Sequence, residues 1–149
     1  MRLKINPAFI VFICIPLSFC RNAVRDTVCP EGILNAGEIE FIYFPERGEK
    51  IESIYLSGDF NDWAMDDSQY AMTRHSDGSY RVTVTIEEEN YYNYKYRING
   101  RWVDLMKEME EQICPRPLRY DRYRGEAIIA VGDPTKPDFS EYKIEAGTD

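Results

Sequence analysis

Two neighbouring segments alternate strictly between residue types, and this period of two constrains the fold more than any other feature of the sequence. One side of these segments carries Val82, Val84 and Ile86, then Tyr92, Tyr94, Tyr96 and Ile98. Such alternation is typical of strands that bury one face. Asn99-Gly100 follows directly, and this dipeptide favours a type I′ hairpin turn. The segments Tyr80–Ile86 and Tyr91–Ile98 are therefore predicted strands, the second entering a hairpin with Arg101–Val103.

Further strand-like runs extend this pattern over most of the chain. They are Ile39–Phe44, which Pro45 ends, Ile51–Ser57, and the continuously apolar Ala127–Val131. One short segment, Leu105–Ile113, is a helical candidate before Pro115 and Pro117. Short strands at regular spacing with turns between them predict an all-β fold, an antiparallel β-sandwich.

The N-terminal segment has the pattern of a secretory signal. Arg2 and Lys4 precede an apolar run from Pro7 to Leu17. That run is shorter than the roughly 20 residues of a spanning helix, but it fits a signal-peptide core. We therefore assign residues 1–19 to a signal peptide and residues 20–36 to a tether and lead-in.

The end of this segment, Leu17-Ser18-Phe19-Cys20, resembles the lipobox of bacterial lipoproteins. Phe19 departs from the small residue that is usual before the cysteine. The resemblance implies that Cys20 becomes lipidated and anchors the protein in the bacterial cell envelope, with the membrane leaflet open. An ordinary secretory signal, giving a secreted or periplasmic protein, and an uncleaved anchor are the alternatives.

Two cysteines, Cys29 and Cys114, remain outside the signal and the lipidation site. An even pair in an oxidising compartment predicts a disulfide. Two buried free thiols are the alternative. The predicted domain spans residues 37–132, and the Pro- and charge-rich residues 133–149 are expected to form a flexible tail.

The charge of the chain excludes one class of partner. The formal net charge is −8, and loss of Arg2 and Lys4 with the signal would bring it to −10. An acidic surface repels the phosphates of nucleic acid, so we expect no nucleic-acid partner. The same charge is compatible with a neutral ligand.

No catalytic or metal-binding arrangement can be named from the sequence. The only histidine, His75, lies beside Ser76-Asp77-Gly78, which is turn chemistry. The acid-rich loop that begins at Asp59 does not have EF-hand spacing, because Trp63 stands where further oxygen ligands are needed. We therefore expect a non-enzymatic protein without a metal or a cofactor.

Three residues favour a sugar-binding surface. Trp63 lies in a polar loop, Trp102 follows the hairpin turn, and Lys95 points away from the tyrosine row. A pyranose ring has an apolar face that packs on an aromatic ring and hydroxyls that take hydrogen bonds. From the periodicity alone, packing of both tryptophans at the edge of the core is an equal alternative.

Four motifs in order resemble the glycogen-binding modules of carbohydrate-binding family 48. They are Ile54-Tyr55-Leu56-Ser57-Gly58-Asp59-Phe60-Asn61-Asp62-Trp63, Asp77-Gly78-Ser79-Tyr80, Tyr94-Lys95-Tyr96-Arg97-Ile98-Asn99-Gly100 and Arg101-Trp102. The resemblance runs from about Glu38 to Val131. It implies an immunoglobulin-like (early-set) β-sandwich that binds α-1,4-linked glucan.

The same resemblance implies roles for individual residues. Trp63, in the Asn61-x-Trp63 loop, and Trp102 would stack on glucose rings, and Lys95 would donate to hydroxyls. Asn61 is a further candidate contact to the sugar. Glu126 stands near the position of a binding asparagine in the family, and a carboxylate accepts hydrogen bonds but cannot donate them.

Two functional hypotheses follow from these observations. The first is an exported, lipid-anchored and non-catalytic module that binds glycogen or maltooligosaccharides. The second is a protein–protein interaction module of the same fold in a cell-envelope complex, in which the tryptophans hold a protein partner.

Overall fold

The computed structural model describes residues 29–31 and 33–132, which form two β-sheets and three short 3₁₀ helices. The strands are β1 (Ile33–Leu34), β2 (Gly37–Tyr43), β3 (Ile54–Gly58), β4 (Thr73–Arg74), β5 (Tyr80–Ile86), β6 (Asn90–Ile98), β7 (Arg101–Val103), β8 (Ile113–Cys114), β9 (Arg119–Asp121) and β10 (Glu126–Val131). The 3₁₀ helices are η1 (Asp59–Asn61), η2 (Ser68–Tyr70) and η3 (Lys107–Gln112).

The longest strand, β6, lies at the centre of the larger, six-stranded sheet. This sheet has the order β1-β10-β6-β3, with β7 also paired to β6 and β9 also paired to β10. The second sheet has four strands in the order β4-β5-β2-β8. All pairings are antiparallel except that of β1 with β10, which is parallel.

The core lies between the two sheets and is rich in aromatic rings. The ring of Phe41 on β2 lies 5.2 Å from that of Tyr94 on β6, and the rings of Tyr43 and Tyr96 are 5.3 Å apart. Buried tyrosines need partners for their hydroxyl groups. The hydroxyl of Tyr92 donates to the Glu88 carbonyl at 2.8 Å, so this ring fills the core without a lost hydrogen bond.

The all-β sandwich predicted from the sequence is confirmed, and most strands begin and end within a few residues of their predicted bounds. The predicted alternation in β6 is also confirmed: Tyr92, Tyr94, Tyr96 and Ile98 are buried, whereas the residues between them are half-buried. The immunoglobulin-like assignment within this class and the domain boundaries stay predictions.

The predicted helix over Leu105–Ile113 is only partly correct. The segment contains the 3₁₀ helix η3, while Leu105 precedes it and Ile113 belongs to β8. Tertiary packing explains the difference. Leu105 is fully buried, and its N–H donates to the Gly125 carbonyl at 2.7 Å, so it is held against the turn before β10.

The predicted disulfide joins Cys29 to Cys114, whose Cα atoms are 5.5 Å apart across 85 positions of sequence. It ties the start of the described chain to β8. The backbone N–H of Arg116 donates to the Pro30 carbonyl at 3.0 Å, and Arg116 forms an ion pair with Glu31. The disulfide, the hydrogen bond and the ion pair together hold the N-terminal lead-in against the second sheet.

The predicted signal peptide, the lipidation site at Cys20 and the tail over residues 133–149 lie outside the described residues. Within residues 29–31 and 33–132, no helix has the length and apolar character needed to cross a membrane.

Candidate functional site

The loop after β3 is built from hydrogen bonds among its own residues. The Asn61 side-chain oxygen accepts from the Gly58 N–H at 2.9 Å, and its amide nitrogen donates to the Leu56 carbonyl at 3.3 Å. Gly58 lies against β6, where a Cβ atom would come within 2.4 Å of the Asn93 carbonyl oxygen. Only glycine fits at position 58, because the backbone of β6 approaches it so closely. Asn61 stabilises the loop through hydrogen bonds of both its amide oxygen and its amide nitrogen.

The two aromatic residues of this loop, Phe60 and Trp63, have different surroundings. Phe60 packs on the core, with its ring 5.6 Å from that of Phe41 and 5.9 Å from that of Tyr70. Trp63 lies outside the core cluster and remains half-buried. The aromatic plug of this loop is therefore Phe60, and the indole of Trp63 is presented at the surface.

The backbone turns sharply to present that indole. Asp62 and Trp63 both have left-handed backbone dihedrals, with φ of 52° and 58°. This region is uncommon for residues other than glycine and is unusual for a bulky residue. The turn is held by the Trp63 N–H, which donates to the Gly58 carbonyl at 3.0 Å.

Trp102 meets Trp63 on the outer face of the larger sheet. It lies on β7 opposite Arg97 of β6, and 41% of its surface is exposed. The two indoles have ring centroids 6.4 Å apart and planes inclined by 65°. Two residues 39 positions apart in the sequence thus form one aromatic platform, which we call the tryptophan pair.

Polar side chains of β6 lie on the same outer face, and each is bound by a carboxylate from a loop. Asn93 donates from its backbone N–H and its side-chain amide to Asp59, at 2.7 and 2.8 Å. Lys95 donates to Asp104 at 2.9 Å and also to the Arg124 carbonyl. Arg97 forms an ion pair with Asp66.

Glu126 extends this outer face onto β10. The register that pairs Ala127 with Tyr94 places Glu126 beside Lys95. One carboxylate oxygen of Glu126 is buried without a hydrogen-bond partner among the described residues. Burial raises the pKa of Glu126 above its ordinary value, and Asp121 and Asp59 raise it further, against the opposite effects of Arg124 and Lys95.

The predicted site residues therefore separate into three kinds. Trp63 and Trp102 come together, Lys95 and Glu126 lie beside each other on the same face, and Asn61 holds the loop. Asp59 and Asp104 bind outer residues of β6. The sequence marked Asp59 only as one acid of a candidate metal-binding loop and did not single out Asp104. The only sequence signal for a role of Asp59 at this face was its position in the Gly-Asp-Phe-Asn motif. Its contact with Asn93 could not be predicted, because the two residues are 34 positions apart.

The structure gives no catalytic or metal-binding arrangement to the described residues that the sequence raised for these roles. His75 lies in an exposed turn, and its backbone N–H donates to the Ser79 carbonyl at 2.8 Å. In the part of the chain that the structure describes, no group of three or more His, Cys, Asp or Glu side chains is arranged to hold a metal ion.

A cavity of about 670 Å³ lies between η3 and β9, away from the tryptophan pair. Its walls combine apolar and charged side chains: Met106, Pro117, Leu118 and Tyr120 with Lys107, Glu108, Glu110, Arg119 and Arg122. Burial, reinforced by Glu110 and Glu108, raises the pKa of Tyr120 to about 12, so its hydroxyl stays protonated at neutral pH. Neither tryptophan lines this cavity.

Comparison with known proteins gives one short similarity, and no protein-family model matches the chain. Over 52 residues the chain is 39% identical to an alpha-amylase of Niallia circulans. The similarity covers 35% of this chain and 4% of the amylase, so the chain corresponds to a small part of that relative's length. A match of this extent does not show enzymatic activity.

Proposed function

We propose that this protein is a non-catalytic α-glucan-binding module, and that the tryptophan pair is its contact surface for sugar. One observation carries the proposal: two indoles from separate elements are in edge-to-face contact at the surface, on a loop and a hairpin that both pack on β6. The pair is outside the core cluster, and Trp102 is substantially exposed. Exposed large aromatics in contact with each other are typical of recognition surfaces.

The polar side chains near the tryptophan pair can form hydrogen bonds with the hydroxyl groups at the rim of a sugar ring. A lysine ammonium has three donors, and Lys95 uses two of them on Asp104 and the Arg124 carbonyl. One N–H is left for a hydroxyl of the ligand. The half-buried carboxylate of Glu126 is an acceptor on the same face. A sugar hydroxyl both donates and accepts, so it can engage both residues.

The angle between the two indoles favours a curved ligand. Planes inclined by 65° cannot both lie flat on one straight, ribbon-like chain. A chain that turns between successive residues can present one sugar face to each ring. An α-1,4-linked glucan curves in this way, whereas a β-1,4-linked chain is extended. We therefore expect maltooligosaccharides to bind in preference to cellooligosaccharides.

The local similarity to an alpha-amylase supports a starch- or glucan-related role. The resemblance of the four motifs to family 48 modules points to the same ligand class. Export through the signal over residues 1–19 and anchoring through Cys20 complete the proposal, and both concern residues outside those the structure describes.

A second candidate function is favoured by a different surface. Met106, Leu118 and Tyr123 are exposed at 49%, 42% and 100%, and the first two line the cavity between η3 and β9. Exposed apolar side chains with charged neighbours are typical of protein contacts. If the second hypothesis holds, we place the protein partner at this surface rather than at the tryptophan pair.

Titration of the purified protein with maltoheptaose, followed by tryptophan fluorescence, tests the first proposal. We expect saturable binding, weaker or no binding of cellohexaose, and loss of more than about tenfold in affinity in Trp63→Ala and Trp102→Ala, the cost of truncating an aromatic hot spot. Met106→Ala, which changes the other surface, is the matched control and should bind normally. Absence of a response to maltoheptaose contradicts the proposal, and binding that survives both tryptophan substitutions contradicts the site.

A further inference from the structure

The carboxylate of Asp59 connects the tryptophan pair to the sheet beneath it. One oxygen accepts from the Trp63 indole N–H at 2.9 Å. The other accepts from the Asn93 backbone N–H at 2.7 Å and from the Asn93 side-chain amide at 2.8 Å. A single side chain thereby joins the ring of a loop residue to two donors on the central strand.

The position of this carboxylate is fixed from both sides. Gly58, the residue before it, lies so close to β6 that no side chain fits there. Asn61 closes the 3₁₀ turn that carries Asp59 by its hydrogen bonds to Gly58 and Leu56. Asp59 thus has little freedom of its own, and it can hold another group in place.

The indole of Trp63 needs such a constraint. Trp63 is half-buried in a loop, and its backbone adopts a left-handed conformation. A half-exposed ring that is not tied down can rotate between side-chain rotamers, and a ligand that requires one of them must offset the lost freedom. A bond to the indole nitrogen removes that freedom before the ligand arrives.

We propose that Asp59 is a positioning residue of the tryptophan pair: it sets the orientation of the Trp63 ring and occupies its indole N–H, so that the ring offers its face to the ligand. The inference deepens the proposed function and rests on it for its effect on binding. It also assigns specificity, because a ring whose only donor is occupied recognises the apolar face of a sugar rather than a hydroxyl.

The negative charge of Asp59 matters to this role as well as its shape. The three groups that face the carboxylate are all donors, and an ionised carboxylate offers only acceptors. In Asp59→Asn one end of the side chain becomes an NH₂ donor, which must face either the Trp63 indole or the donors of Asn93. The asparagine variant therefore keeps the size of the side chain but loses part of the connection.

The test compares Asp59→Ala and Asp59→Asn with Asp62→Asn in the full protein. Asp62 lies in the same loop, its removal changes the charge equally, and its side chain has no hydrogen-bond partner among the described residues. Two readouts are needed: the hydrogen-exchange rate of the two indole N–H groups by ¹⁵N NMR, and the affinity for maltoheptaose. Thermal unfolding of each variant shows that it remains folded.

We expect the Trp63 indole N–H of the unmodified protein to exchange more slowly than that of Trp102. Asp59→Ala should accelerate it and weaken maltoheptaose binding on the order of tenfold, as expected for loss of a hydrogen bond to a charged group. Asp59→Asn should be intermediate, and Asp62→Asn should leave both readouts unchanged. Unchanged indole exchange in Asp59→Ala overturns the inference, as does altered exchange with unaltered affinity.

The two proposals fail in different ways. If the unmodified protein binds no maltoheptaose, the proposed function is wrong, and the exchange rates alone decide whether Asp59 orients the ring. If the protein binds and Asp59→Ala binds equally well, the function stands and the positioning role is wrong.

Discussion

The two faces of β6 satisfy their polar groups in different ways. On the inner face, Tyr92, Tyr94 and Tyr96 are buried in the core, and their hydroxyls donate to backbone carbonyls. On the outer face, Asn93 and Arg97 bind carboxylates from the connection between β3 and β4, and Lys95 binds one from the segment after β7. The inner face stabilises the sandwich, whereas the outer face organises the loops around the tryptophan pair.

On the outer face, the polar side chains of β6 have protein partners before a ligand arrives. Asp59, Asp66 and Asp104 bind Asn93, Arg97 and Lys95, respectively. The resemblance to family 48 modules implied that Lys95 serves the ligand directly. The structure gives Lys95 a second role, because it joins Asp104, directly after β7, to the turn before β10.

The largest expected effect is on the inner face. Tyr94 is fully buried between the two sheets, so Tyr94→Ala should lower the free energy of unfolding by about 3–5 kcal/mol, as for other aromatic truncations in cores. Urea denaturation measures the change. Lys95→Met, one residue along on the outer face, should cost less than about 1 kcal/mol because the side chain of its partner Asp104 is 71% exposed and stays solvated. Equal losses in the two variants would contradict the division between the faces.

A smaller effect is expected on ligand binding from the outer face. Lys95→Met should weaken maltoheptaose binding by about two- to tenfold, the range of a single hydrogen bond, because one N–H remains for the ligand. Isothermal titration calorimetry would measure it beside Trp63→Ala. A loss as large as that of the tryptophan variant would show that the ammonium, and not the tryptophan pair, dominates the site.

The smallest expected effect concerns Glu126. A carboxyl whose pKa is raised in the folded state binds its proton more tightly there than in the unfolded chain. The protein therefore loses stability as the pH rises from the ordinary glutamate pKa of about 4.3 through the raised value. Glu126→Gln removes this loss and should stabilise the protein at pH 7 by less than about 1 kcal/mol, because solvent screens a half-buried carboxylate.

Thermal unfolding as a function of pH measures the Glu126 effect, with the exposed Glu38→Gln as the control for charge. The gain in Glu126→Gln should disappear below about pH 4, where the carboxyl is protonated in both states. A gain that persists at low pH would show that the raised pKa is not its cause.

Sequence reasoning reached the inner face more easily than the outer one for a physical reason. The period of two in β6 is local, and the side that carries the tyrosines must be buried. The carboxylates that bind Asn93 and Arg97 are 34 and 31 positions away, at places that only the strand register and the loop turns determine. The contact between Trp63 and Trp102 depends on the same register, so composition alone left their role open.

The loop after β3 shows where local sequence was ambiguous. It contains two aromatics three positions apart, and either one is suited to fill the core. The left-handed turn at Asp62 and Trp63 directs one inward and the other outward. No propensity predicts such a turn at a tryptophan, since the hydrogen bonds of Gly58 and Asp59 impose it.

The central claim is that the tryptophan pair binds α-glucan, and native gel electrophoresis in a glycogen-containing gel tests it most directly. The unmodified protein should be retarded relative to its mobility in a gel without glycogen, and the double variant Trp63→Ala/Trp102→Ala should migrate as in the plain gel. Equal mobility of the unmodified protein in both gels, or retardation that the double variant retains, would contradict the account.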